Sequence, residues 1–118
     1  MDEATFKRRT KQFALRVIEL VDALPRKTAA NVIGRQLLQS ATSVGANYRS
    51  ACRGRSPADV IAKLAIVEEE ADESMYWFEL LVDSNLVTAE KVRELQREAN
   101  ELVAMTVASI KTLRSRSR

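Results

Sequence analysis

Five carboxylates fall within six residues, at Glu68, Glu69, Glu70, Asp72 and Glu73. A second pair, Glu98 and Glu101, repeats the spacing of Glu70 and Glu73. Residues three apart share a helix face, and paired carboxylates can hold magnesium together with substrate phosphates. The chemistry would be hydrolysis of a nucleotide phosphoanhydride. No lysine cluster stands near them inside an apolar stripe to grip the phosphates. The plainer reading is that these acids meet the arginines of the first two helices, within or between subunits. Histidine is missing from the sequence, which removes imidazole acid–base catalysis and imidazole metal ligands. The single cysteine, Cys52, has no internal disulfide partner and fits a reducing, cytoplasmic setting. Arg49, Arg53 and Arg55 nearby would favour its thiolate. A buried structural thiol is the simpler expectation.

The cations form the other chemical pattern. Residues 1–55 hold 11 Lys/Arg against 4 Asp/Glu. Residues 56–104 hold 4 against 12, and residues 105–118 hold 4 against none. The net charge is only +3, so the segregation says more than the total. It implies charge-complementary packing, an oriented surface, or both.

The elements that position these groups are plain. The chain has 118 residues, 46% of them hydrophobic and 30% charged, which is one soluble domain. Three glycines and two prolines are too few for the turns of an all-β fold. No apolar run reaches membrane-spanning or signal-peptide length, and the start Met1-Asp2-Glu3 is acidic. Breaks at Leu24-Pro25, at Gly54-Arg55-Ser56-Pro57 and at Asp83-Ser84-Asn85 leave four proline-poor segments. They span about 5–24, 28–53, 57–83 and 88–113, with Ser56 and Thr88 as N-caps and Pro57 at the first helical position. Apolar residues recur at helical spacing in each, as in Phe6, Phe13, Val17 and Leu20. The expected fold is an all-α, up-down-up-down four-helix bundle. Residues 114–118 are expected to form a disordered basic tail.

The second segment has an unusually wide arc of small residues, centred on Ser40-Ala41-Thr42-Ser43-Val44-Gly45-Ala46. Tight packing inside one bundle would explain it. So would a helix that packs on two sides, once within its bundle and once against another subunit. Polar residues recur inside the apolar arcs: Ser40, Ser43 and Asn47 on helix two, Glu70 and Ser74 on helix three. Buried polar groups need partners, so these five are expected to form an interhelical network that fixes register.

The run from Gln36 to Ala51, with its Ser-Ala-x-Ser-Val-x-x-Asn core, resembles the second helix of the four-helix bundle proteins, also called 23S rRNA intervening-sequence proteins. The run from Lys63 to Leu81 resembles the third helix, and the likeness extends from about Phe6 to Leu113. The resemblance implies a bundle that assembles as a ring-shaped homopentamer, with no established enzymatic activity and no cofactor. One branch of the family is the accessory variability determinant of diversity-generating retroelements, in which a basic pentamer binds a reverse transcriptase and nucleic acid. Many other members, encoded within rRNA intervening sequences or in free-standing genes, have unknown function, and the alternative reading is a structural assembly protein of this type with no nucleic-acid role. Glu70-x-x-Glu73 with Glu98-x-x-Glu101 also resembles, over a much shorter pattern, the magnesium-binding helices of all-α nucleotide pyrophosphohydrolases.

In an up-down bundle the start of helix one and the ends of helices two and four meet at one end. That end should collect Lys7, Arg8, Arg9, Lys11, Arg49, Arg53, Arg55, Lys111 and Arg114, with Arg116 and Arg118 beyond. Its expected partner is RNA or DNA, gripped through phosphates with little base specificity, or an enzyme bound to it. The alternative is a solubilising face. Phe6 and Phe13 are expected in the core, and Tyr76 and Trp77 in core or interface, which leaves no aromatic platform for stacked bases.

Overall fold

Helices begin where the sequence supplies caps. In the computed structural model, which describes residues 2–116, the Asp2 carboxylate accepts the Thr5 N–H at 2.7 Å and opens α1 (Glu3–Asp22). That bond holds the Asp2 carboxyl below its ordinary pKa. The next helix, α2 (Thr28–Cys52), starts without a side-chain cap, at Lys27. Ser56 Oγ accepts the Asp59 N–H at 3.1 Å to start α3 (Pro57–Asp83), and the Asp59 carboxylate accepts the Arg55 N–H in return. Thr88 Oγ1 accepts the Lys91 N–H at 3.3 Å ahead of α4 (Ala89–Arg116).

The third helix ends on Asn85, whose φ of 63° lies in the left-handed region that asparagine tolerates. The Leu86 N–H bonds the Leu81 carbonyl and the Asn85 N–H bonds that of Val82. This double return satisfies two terminal carbonyls and turns the chain toward α4.

Each helix packs on its sequence neighbours, and α1 and α4 meet only loosely. The bundle measures 50 × 21 × 20 Å. Its core takes one stripe per helix: Phe13 and Val17, Leu37 and Val44, Val67 and Phe78, Val92 and Leu102 are all at most 1% exposed. Burying such a side chain contributes about 1.5–3 kcal/mol each. Small residues set how closely α1 and α2 approach. A Cβ on Gly45 would come within 3.2 Å of Thr10 Oγ1, and one on Gly34 within 3.0 Å of Leu24 Cδ1.

Two expectations shift. The fourth helix continues to Arg116, so Arg114, Ser115 and Arg116 are helical, not part of a disordered tail. The remaining tail residues, Ser117 and Arg118, lie outside the described ones. The small-residue arc of α2 divides: Gly34, Ala41 and Tyr48 are buried in the bundle, while Thr42 and Ala46 face outward.

Candidate nucleic-acid interface

Two contacts fix which residues share the basic end. The rings of Phe6 and Tyr48 stack at 3.9 Å and 8°, setting the first turns of α1 level with the last turns of α2. Arg9 bonds Glu98 from across the α1–α4 seam, with Nη2 at 2.6 Å and Nε at 3.0 Å. Eighteen residues of α4 follow Glu98, whereas six residues of α1 precede Arg9. The Arg9–Glu101 and Arg16–Glu94 pairs set the difference at nine residues, so antiparallel helices in that register leave α4 overhanging α1 by about 14–18 Å. Lys111, Arg114 and Arg116 stand on this overhang, and Arg53 and Arg55 sit in the α2–α3 turn at the same end.

The predicted basic cluster is not uniform. Arg9 is forked onto Glu98 and also reaches Glu101 at 3.4 Å, which raises its already high pKa further. It is a seam residue, not a free cation. Lys7 pairs with Glu3 at 2.8 Å one turn away. Arg8, Lys11, Arg49, Arg53, Arg55, Lys111, Arg114 and Arg116 are exposed and form no ion pair among the described residues. Lys11 and Arg49 lie on a flank, lining a groove of about 270 Å³ between α1 and α2. The other unpaired cations, Arg8 aside, belong to the tip.

Beside the tip, a cleft of about 670 Å³ opens between α1 and α4, with Phe6 and Tyr48 on its inner side and Met105 and Leu113 on α4. The stacked pair is nearly buried, so its faces are not open to bases. Burial pushes the Tyr48 phenol well above its ordinary pKa. Burial also pushes the Cys52 thiol up, ahead of any effect of its neighbours. The arginines therefore do not produce a reactive thiolate.

The polar residues of α2 and α3 come together in part. Ser40 Oγ and Ser74 Oγ lie 2.9 Å apart across the seam, both fully buried. Each also reaches a carbonyl of its own helix, Leu37 and Glu70 respectively. The Ser43 hydroxyl favours the charged form of Glu70, yet burial and the charges of Glu73 and Glu69 hold its pKa above the ordinary value. Asn47 departs from the expected network. It is half-buried, and its amide donates to the Ser43 carbonyl of its own helix at 2.8 Å. Trp77 is partly buried against the core, its ring edge-on to exposed Tyr76. The Trp77 indole nitrogen is buried without an acceptor among the described residues.

The acidic pairs do not converge. Glu98 and Glu101 turn toward α1, where Arg9 engages them, while Glu70 lies on the α2 side of α3. Among the described residues no group of three Asp, Glu or Cys side chains is placed to hold a metal, and no helix is long and apolar enough to cross a membrane. Sequence reasoning missed the α4 overhang and the Arg16–Glu94 pair at 2.9 Å. Both depend on the α1–α4 register, which no local pattern encodes.

Comparison with known proteins adds the family. The profile of the 23S rRNA-intervening sequence proteins matches residues 3–108. A solved structure from Bacteroides thetaiotaomicron, described as a protein of unknown function from the S23 ribosomal protein family, is 35% identical with a TM-score of 0.84. The match covers 90% of this chain and 98% of that one. No curated protein matches in sequence.

Proposed function

The chain belongs to the 23S rRNA-intervening sequence protein family, and from that premise we propose a non-enzymatic helical scaffold that self-assembles and binds nucleic acid through its basic tip. The assembly is a homopentamer, as the resemblance implies. The bound species is RNA or DNA, alone or carried by a nucleic-acid enzyme such as a retroelement reverse transcriptase. The observation that carries the reading is the set of unpaired cations at one end: Arg53 and Arg55 in the turn, Lys111, Arg114 and Arg116 on the α4 overhang. Cations without acidic partners keep their field for an external polyanion. Several copies in one assembly would present that field repeatedly along a phosphate backbone.

The test is nucleic-acid retention at low salt. Affinity should fall with salt at a log–log slope of roughly −0.9 for each duplex phosphate neutralised. Replacing Arg53, Arg55, Lys111 and Arg114 with Gln should weaken binding equally for unrelated sequences and flatten that slope. Arg35→Gln, nearer the far end of α2, should change little. If the unmodified protein retains neither DNA nor RNA at low salt, the tip is a solubilising surface and the structural-assembly reading replaces this one.

A further inference from the structure

Two exposed surfaces remain outside the basic tip, and they match. One is the α1–α2 groove of about 270 Å³, floored by Ala14, Thr42, Gly45 and Ala46 and flanked by Lys11 and Arg49. Leu15 and Ile18 continue the α1 side of it at i+4 and i+7 from Lys11, and are 44% and 37% exposed. Bulky apolar side chains bordering a trough of small residues form a surface that packs well only when something fills the trough. Neither Lys11 nor Arg49 has an acidic partner among the described residues.

The other surface is the outward stripe of α3, on the side away from buried Val67 and Ala71. Ile66, Glu69, Glu73 and Tyr76 follow one another at i, i+3, i+7 and i+10, a continuous ridge about 15 Å long. Ile66 is 41% and Tyr76 52% exposed. Glu69 and Glu73 meet no cation among the described residues. Their charge is felt locally, since both raise the pKa of Glu70.

We propose that the α3 ridge of one copy docks in the α1–α2 groove of a second copy, placing Glu69 and Glu73 against Lys11 and Arg49, with Ile66 and Tyr76 meeting the small-residue trough. The partner is argued from complementarity: ridge against trough, apolar against apolar, unpaired acids against unpaired bases. The two surfaces lie on different sides of the bundle, because α3 stands diagonally across from α1 and meets it only in the core, where Phe13 and Phe78 pack edge to face. One copy can therefore use both at once. Such a contact is head-to-tail, so it propagates until it closes into a ring. It rests on the self-assembly part of the function proposed above and names the faces involved. It also removes Lys11 and Arg49 from the nucleic-acid surface, leaving that role to the tip.

The experiment compares four chains by light scattering over a concentration series, with circular dichroism to follow folding. They are the unmodified protein, Lys11→Glu with Arg49→Glu, Glu69→Lys with Glu73→Lys, and all four reversals together. Each double reversal should raise the concentration needed for assembly by at least about tenfold. The fourfold reversal swaps the signs of both faces and should assemble within about threefold of the unmodified protein. Ala46→Phe fills the trough without changing charge and should dissociate the assembly as the double reversals do. Doubles that assemble normally, or a fourfold chain no better than the doubles, overturn the proposal and leave self-assembly standing. A monomeric unmodified protein at roughly 100 µM overturns both. Nucleic-acid retention by the tip is a separate readout in either case.

Discussion

The α2–α3 seam and the α1–α4 seam join their helices by different means. At the first, Ser40 and Ser74 are fully buried and meet directly, and the helices touch along their length. At the second the contact is loose, and Arg9 and Arg16 reach across to Glu98, Glu101 and Glu94. One seam excludes water and relies on shape. The other stays wet at its edge and relies on charge. Sequence neighbours joined by a short turn can afford small side chains, because the turn fixes their register. The first and last helices have no such tether, and long side chains bridge the wider gap between them.

Overpacking the tight seam should have the largest effect. Ser74→Leu adds bulk where neither serine is exposed, and should cost about 3 kcal/mol. Thermal unfolding should show it as a fall of about 10 °C. Ser74→Ala removes the contact with Ser40 and the bond to the Glu70 carbonyl and should cost about 1–2 kcal/mol. If the two variants melt alike, the seam is not close-packed and the contrast between the seams fails.

Charge removal at the loose seam should do less. Arg9→Ala strands partly buried Glu98 and should cost about 1–2 kcal/mol, shrinking in high salt. Arg16→Ala breaks a mostly exposed pair and should cost less than about 0.5 kcal/mol. Urea unfolding at two salt concentrations separates them. Equal costs would mean that the cleft end of the seam is no better anchored than its far end.

The difference between the seams also marks what the sequence could show. Helix positions were legible because caps and breaks are local: Ser56, Pro57 and Thr88 act where their types predict. The Ser40–Ser74 contact was legible because both sit inside apolar stripes of adjacent helices, where a hydroxyl must find a partner. Asn47 shares that pattern, yet it lies far enough toward the helix edge to bond its own backbone and stay half-exposed. In the sequence Arg9 belongs to a basic cluster with no visible partner, since charge pairing across the bundle depends on the relative height of α1 and α4. Nothing within either helix records that height. The helical state of Arg114–Arg116 was missed for a related reason. A run of Arg and Ser looks like a solvated tail unless the last apolar anchors, Ile110 and Leu113, are known to pack on the core.

Glu70 gives the smallest and sharpest test, because it is a carboxylate placed at the seam that otherwise relies on shape. At the loose seam Glu98 meets an arginine fork. At the tight one Glu70 meets a serine hydroxyl, with Glu69 and Glu73 beside it. Burial and those like charges raise its folded pKa above the ordinary carboxylate value, so the folded protein holds this proton more firmly than the unfolded chain. The resulting stabilisation is fully present below the ordinary carboxylate pKa and is lost as pH rises through the folded value. At neutral pH the ionised group therefore opposes folding. Glu70→Gln removes the charge and keeps an oxygen able to accept from the Ser43 hydroxyl. Its melting temperature should exceed that of the unmodified protein at about pH 7, and the two should converge near pH 3, where the native carboxyl is neutral. A variant that melts lower by the same amount at both pH values would mean that the attraction of the Ser43 hydroxyl for Glu70 outweighs the desolvated charge. The α2–α3 seam would then, like its counterpart, draw on charge.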